Sequence, residues 1–270
     1  MKLLGIEFAP LCVPMHRRYE ILAVSSWYVT MTFGSVVCLF VWFFLLFTRL
    51  WWLVSLYTVW MYLDRHTCEN GGRVIKWAQE WRWGYHLMKY FPVEMDCRIA
   101  SPFGKFRRKY PEFTVKTAIL HLFFVLPFMR ELALGLGMIS CSAKSLNYEL
   151  SRPEGGHIVI LMPGGATEAC SSQPGKYKFV VKSRNGFVEV ALRNGSPLVP
   201  VISFVLIWDY STEKATTVVG APIEITKIAN PTNEQVEELH RKFVESLTAL
   251  FEEYKYKYLE SPDDKHLELQ

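Results

Sequence analysis

Between Glu20 and Asp64 the chain runs for 43 residues with a single charge, Arg49. Few environments accept such a stretch. At about 1.5 Å per residue it makes roughly 65 Å of helix, enough for two passes through a hydrocarbon core about 30 Å thick. Its Trp, Tyr and Arg residues fall at interface-like places between Trp27 and Trp60, and the rest stays apolar. The run begins too late, is too long and lacks the small-residue cleavage pattern of a signal peptide. The pattern predicts a membrane hairpin over residues 21–63, led in by a short amphipathic stretch, 1–20, that Pro10 and Pro14 interrupt, and followed by a cytosol-facing domain over 64–270. Lys2, Arg17 and Arg18 lie before the hairpin and Arg65, Arg73, Lys76, Arg82 and Lys89 after it, which puts both ends on the cytosolic side with Thr48-Arg49 near the turn. Two geometries satisfy this. The hairpin spans, with Arg49 at the far headgroups, or it dips into one leaflet and Arg49 snorkels back.

Half of the 270 residues are hydrophobic and mean hydropathy is +0.11, an excess concentrated in that hairpin. A net charge of +4 is too modest to indicate a nucleic-acid partner. Arg98, Lys105, Arg107, Arg108, Lys109 and Lys116, against Glu112 alone, form a local basic cluster suited either to anionic headgroups or to a solvated face. Six cysteines without paired spacing fit a reduced, cytosol-facing protein and support neither a disulfide framework nor a zinc site. On that side the sequon Asn194-Gly195-Ser196 stays unused.

The chemistry is concentrated in Leu161 to Val201. An apolar run from His157 to Met162 stops at Pro163-Gly164-Gly165. A lone acid, Glu168, follows, then a second glycine turn, a basic strand with Lys176, Lys178 and Lys182, and an apolar-periodic segment from Phe187 to Leu192. That order reads strand, glycine loop, strand, helix, strand, and it predicts an α/β domain. Glycines at a strand's end let backbone N–H groups approach an oxygen-rich ligand. Strands are expected near 157–162, 178–182, 198–204 and 215–219. Helices are expected over 72–90, where Trp77, Trp81 and Tyr85 recur, and from Thr232, where Thr232 and Gln235 form a capping box ahead of the stripe Val236, Leu239, Phe243, Leu247, Leu250 and Tyr254. Residues 113–139 read as a buried or interfacial helix pair broken near Pro127, because Arg130-Glu131 in mid-span is costly in lipid.

Gly164-Gly165-Ala166-x-Glu168, Arg184-x-Gly186-Phe187-Val188 and Leu198-Val199-Pro200-Val201-x-Ser203-Phe204 resemble motifs of the acyl-CoA:monoacylglycerol and diacylglycerol acyltransferase family. Glu7 to Leu11, Leu46 to Arg49, Tyr62 to Arg65, Tyr90 to Val93, Leu126 to Glu131 and Thr216 to Gly220 follow in that family's order. The resemblance implies a glycerolipid-acyltransferase-like α/β domain behind the hairpin. It implies acyl transfer from acyl-CoA, as co-substrate, to a mono- or diacylglycerol, without metal or other cofactor. It implies the endoplasmic-reticulum membrane or a lipid droplet as location, membrane lipid as partner, and homo- or hetero-oligomers with family members. Gly164, Gly165, Glu168, Lys182 and Arg184 are the positions it places beside acyl-CoA, with Glu168 either orienting substrate or bracing the loop.

The chain departs from that family in two places. No His-Pro-His-Gly motif is present, so no catalytic residue is matched; Val93 is followed by Glu94 to Ala100 and then by a segment resembling what lies beyond the motif. A second stretch is missing after Phe204. The domain therefore reads as internally truncated, leaving a gap or exposed edge in its sheet. No other histidine carries an acid at a useful sequence spacing: His240 reads as a helix-surface residue, His121 sits in an apolar run, His157 begins a strand, and His16, His66 and His86 lie near the hairpin. The alternative to an enzyme is a catalytically inactive, membrane-bound partner of a full-length relative.

Overall fold

The computed structural model describes residues 2–3, 6–7, 14–79, 86, 112–171, 176–204, 216–259 and 262–270. At the start β1 (Lys2–Leu3) pairs antiparallel with β2 (Ile6–Glu7). The apolar stretch forms α1 (Met15–Leu46) and, after a tight turn, α2 (Trp51–Leu63), which packs back along α1. Among the described residues no helix is long and apolar enough to cross a membrane, so the spanning hairpin is not supported. Length gives one reason: the 13 residues of α2 extend about 20 Å, short of a hydrocarbon core. What remains is a helical hairpin with unequal legs. Of helix 72–90, α3 (Lys76–Gln79) lies within the described residues, whereas Trp81, Tyr85 and the basic residues Arg98 to Lys109 lie outside them.

The expected helix pair at 113–139 is replaced by β3 (Thr114–Ile119), a 3₁₀ turn (His121–Phe124), α4 (Met129–Gly135) and β4 (Met138–Ser140). Thr114, Val115, Thr117 and Ile119 are β-branched and suit a pleated surface, a signal the overall apolarity of the segment masked. Burial alternates along the strand and falls on Lys116 and Ala118. Lys116 is thus removed from the basic surface cluster: its Nζ donates to Gly71 O at 2.9 Å inside the protein. Arg130, 2% exposed, is buried against Asp64, as the cost of that charge in lipid requires.

After β4 come α5 (Ala143–Leu150), N-capped by Ser142, and β5 (His157–Ile160). The three strands form one parallel sheet in the order β4-β3-β5, with Thr117 opposite Met138 on one side and Ile160 on the other. Then follow α6 (Gly165–Ser171), β6 (Tyr177–Phe179), α7 (Gly186–Asn194), β7 (Val201–Phe204), β8 (Thr216–Val219), α8 (Asn233–Tyr258) and β9 (Leu267–Leu269). Gly195 closes α7 in the left-handed region, φ 66°, where an added Cβ would sit 3.2 Å from the backbone of Lys227.

The single residual sheet expected from the sequence resolves into three. β7 pairs antiparallel with β8, and β6 pairs with β9 from the chain's tail. Backbone N–H and C=O groups of a short strand need partners, and the tail supplies them to β6. Against these strands α8 lays Phe243, Leu247, Leu250 and Phe251, which pack with Val181, Ile202, Phe204 and Val218 in the largest core. Its capping box at Thr232 and Gln235 is formed as the sequence predicts.

Candidate active site at the carboxyl edge of the parallel sheet

Because β3, β4 and β5 are parallel, the chain leaves all three at one edge: Leu120-His121 after β3, Cys141-Ser142 after β4, and Leu161 to Gly165 after β5. Ligands of open α/β sheets gather at such an edge. The β3–β5 ladder ends at the pair Thr117–Ile160, and beyond it His121 opens the 3₁₀ turn after β3 while Pro163 to Gly165 form the turn after β5, both on the carboxyl side of the sheet.

The glycine loop is held from within. Gly165 takes φ 53°, its N–H donates to Met162 O at 3.2 Å, and Glu168 N–H donates to Gly164 O at 3.3 Å. The Glu168 side chain folds over Gly164, so closely that a Cβ at 164 would lie 2.6 Å from the Cβ of Glu168. From there Glu168 Oε2 accepts the Val180 N–H at 3.1 Å. Of the two roles expected for this acid, bracing the loop is the one the geometry displays. The loop is thereby tied to the segment carrying the other two candidates. Lys182 and Arg184 sit on the exposed turn beyond Val180, whose backbone is fixed by Lys182 N–H to Gln270 O at 2.7 Å and Arg184 N–H to Val181 O at 2.9 Å. Gly164, Gly165 and Glu168 form one unit; Lys182 and Arg184 are presented beside it on a separate turn.

Three histidines differ from their sequence reading. His240 is half-buried, its Nε2 3.1 Å from Val181 O and its ring edge-on to Phe187. His157 does acquire an acid: its Nδ1 lies 3.1 Å from Oε2 of the fully buried Glu149, with Arg152 Nε 3.5 Å from the same oxygen. These buried atoms make ion-pair contacts without hydrogen-bond geometry. The pair arises because α5 packs on β5, which no sequence spacing announces. It stands at the amino end of β5, and at about 3.3 Å per residue that is on the order of 15–20 Å from the glycine loop. His66 likewise meets Glu69 at 3.1 Å, on the surface. His121, by contrast, is exposed at the carboxyl edge, with Nδ1 3.3 Å from Oγ of the buried Ser140.

A family model described as diacylglycerol acyltransferase matches residues 43–101, 96–212 and 206–270. The chain belongs to the diacylglycerol acyltransferase family. It is 31% identical to 2-acylglycerol O-acyltransferase 1 of Bos taurus and 30% to that of Homo sapiens, with 94% of this chain and 96% of each relative covered. It is 28% identical to diacylglycerol O-acyltransferase 2 of Xenopus tropicalis, covering 89% of this chain and 86% of the relative. No solved structure matches. As a family member the chain is an acyltransferase, and the loop braced by Glu168 is the one whose glycines resemble the family's motif. The alignments to the first two relatives run over 322 positions, more than the 270 residues present here, so the relatives carry internal stretches without counterpart. The matching segments meet at 96–101 and 206–212, where the motif order also breaks. Both junctions lie outside the described residues.

Proposed function

We propose that this acyltransferase moves a fatty acyl group from acyl-CoA to the hydroxyl of a mono- or diacylglycerol at the carboxyl edge of the parallel sheet. The observation that carries this reading is the glycine loop at that edge, pinned by Glu168 over Gly164 and leaving Gly165 exposed. Gly164 seats the Glu168 brace, the exposed Gly165 lets the backbone approach the thioester end of acyl-CoA, and Lys182 and Arg184 supply cationic donors for its phosphates. Membranes carrying the chain, given labelled oleoyl-CoA with 2-monoacylglycerol or diacylglycerol, yield labelled di- or triacylglycerol; no product above membranes without the chain defeats the reading.

The same proposal places the chain at the endoplasmic-reticulum or lipid-droplet surface, with both ends cytosolic and the helical hairpin dipped into one leaflet. Supporting this, α1 and α2 leave large apolar side chains uncovered, Phe40 at 71% and Phe47 at 78% among them. A second reading is favoured by the two missing stretches: an inactive partner of a full-length family member. Inactivity alone combined with co-purification with an active relative selects it.

A further inference from the structure

We propose that His121 is the proton acceptor for acyl transfer in this chain, and that the apolar segment around it receives the chains of the acylglycerol acceptor. The inference rests on the acyltransferase reading above and names the base, which no motif of the sequence supplies.

Position selects His121 among the described histidines. His157 has the better acid partner, but it is largely buried at the opposite end of β5 from the glycine loop. His240 points its Nε2 at the Val181 carbonyl, and His66 lies on the turn after α2. His121 follows the central strand of the parallel sheet, at the edge where the glycine loop leaves β5 on one side, and next to Ser140 of β4 on the other. Ser140 is completely buried and fixed: its N–H donates to Cys68 O at 3.0 Å, and its Oγ accepts from Ser142 N–H at 3.3 Å. The proposal takes the tautomer in which His121 Nδ1–H donates to a second lone pair of Oγ, which leaves the lone pair on Nε2.

The surroundings point to a lipid acceptor. Leu120, Leu122 and Val125 are 54%, 58% and 56% exposed, and with Phe123 they form an apolar lip around His121 at the edge where acyl-CoA is expected. The lip continues into Phe128, which takes φ 68° and sets its ring against Gly34 of α1. A bulky residue with positive φ is held there by its packing. The lip is thus continuous with the uncovered apolar hairpin, and an acceptor leaving the lipid surface meets His121 first.

In the step itself, Nε2 takes the hydroxyl proton as the acceptor oxygen adds to the thioester carbonyl carbon. The tetrahedral intermediate collapses, the C–S bond breaks, and the imidazolium returns its proton to the departing thiolate as free CoA thiol. The new ester carries the acyl group. Ser140 is a positioning residue that holds the ring.

The test compares wild-type chain with His121→Gln, Ser140→Ala and His157→Gln in membranes supplied with oleoyl-CoA and 2-monoacylglycerol over pH 5–9. General-base loss costs about 10²–10⁴-fold. His121→Gln is expected to lower kcat by that factor at unchanged KM for oleoyl-CoA, with unchanged protease resistance because the residue is exposed, and to abolish the acid limb of the pH–rate profile. Ser140→Ala moves that limb and lowers kcat less. His157→Gln keeps the limb. An active wild type whose rate and acid limb survive His121→Gln overturns the assignment and leaves the acyltransferase reading intact. An inactive wild type overturns both.

Discussion

The side chain of Glu168 occupies the space that a β-carbon at residue 164 would need, and its carboxylate reaches across to the Val180 N–H. Two substitutions should therefore damage one contact. Glu168→Ala removes a charge-assisted hydrogen bond, about 1.5–3 kcal/mol, nearer the lower figure because the residue is only half-buried. Gly164→Ala pushes Glu168 aside and costs about 1–3 kcal/mol. Measured by denaturant midpoint in detergent, the double variant is expected to lose clearly less than the sum of the two, and each should raise KM for oleoyl-CoA. Strict additivity would separate the loop from its brace. The glycine motif and its acid were legible in the sequence; that the acid grips residue 180 was not, because the two positions stand 12 residues apart. His121 was passed over for a related reason. Its apolar neighbours suggest a helix, and only the strand order shows that it opens the turn after the central strand.

At the scale of elements, the turn after α2 is where the hairpin is fastened to the α/β core. Arg130 of α4 donates to the Asp64 backbone oxygen at 2.9 Å and also pairs with the Asp64 carboxylate, under the Trp60 ring. Arg73 reaches the same carboxylate at 2.7 Å, Ser145 Oγ donates to Cys68 O at 3.1 Å, and Lys144 bonds Glu69 at 2.9 Å. Partial burial opposes ionisation of Asp64, but hydrogen bonds from Thr67 and Arg130 and the charges of Arg130 and Arg73 outweigh it and hold the carboxyl below its ordinary value. A lowered carboxyl stabilises the fold above its unfolded value, near 3.9, and loses that contribution as pH falls through the lower folded value. Asp64→Asn should therefore flatten the acid side of the stability profile below about pH 4, read by thermal unfolding across pH, while costing stability at neutral pH. Arg130→Ala leaves Asp64 without its main partner beside a buried void and is expected to cost about 3 kcal/mol, the lower end for breaking a buried pair, since Asp64 keeps some exposure. A neutral Arg130→Ala would show that the tie contributes nothing.

For the molecule as a whole, the uncovered apolar hairpin and the small, separate sheets belong together. Small separate sheets enclose small cores, and on the proposed reading lipid contact along α1 and α2 buries the apolar side chains that the chain alone leaves uncovered. Full-length chain is expected to float with phosphatidylcholine vesicles in a sucrose gradient. Phe40→Asp, Phe44→Asp and Phe47→Asp together should shift most of it to the pellet or the soluble fractions, and flotation unchanged by three charges would exclude the hairpin as the contact.

Local signals in the chain were enough for the family motifs, the capping box that opens α8 and the apolar character of 21–63, since each depends on neighbours within a few residues. Pairing across long separations was decided only in three dimensions. β9 lies about 90 residues beyond β6 yet completes its ladder, and Lys116 leaves an apparent surface cluster to bond Gly71. Length decided the hairpin: composition allowed two crossings, but the turn at 47–50 leaves α2 with 13 residues. Sequence thus determined what chemistry the chain descends from, because a glycine loop and its acid are local. Which histidine stands beside that loop was set by the order β4-β3-β5, because only parallel packing brings the ends of three distant strands to one edge.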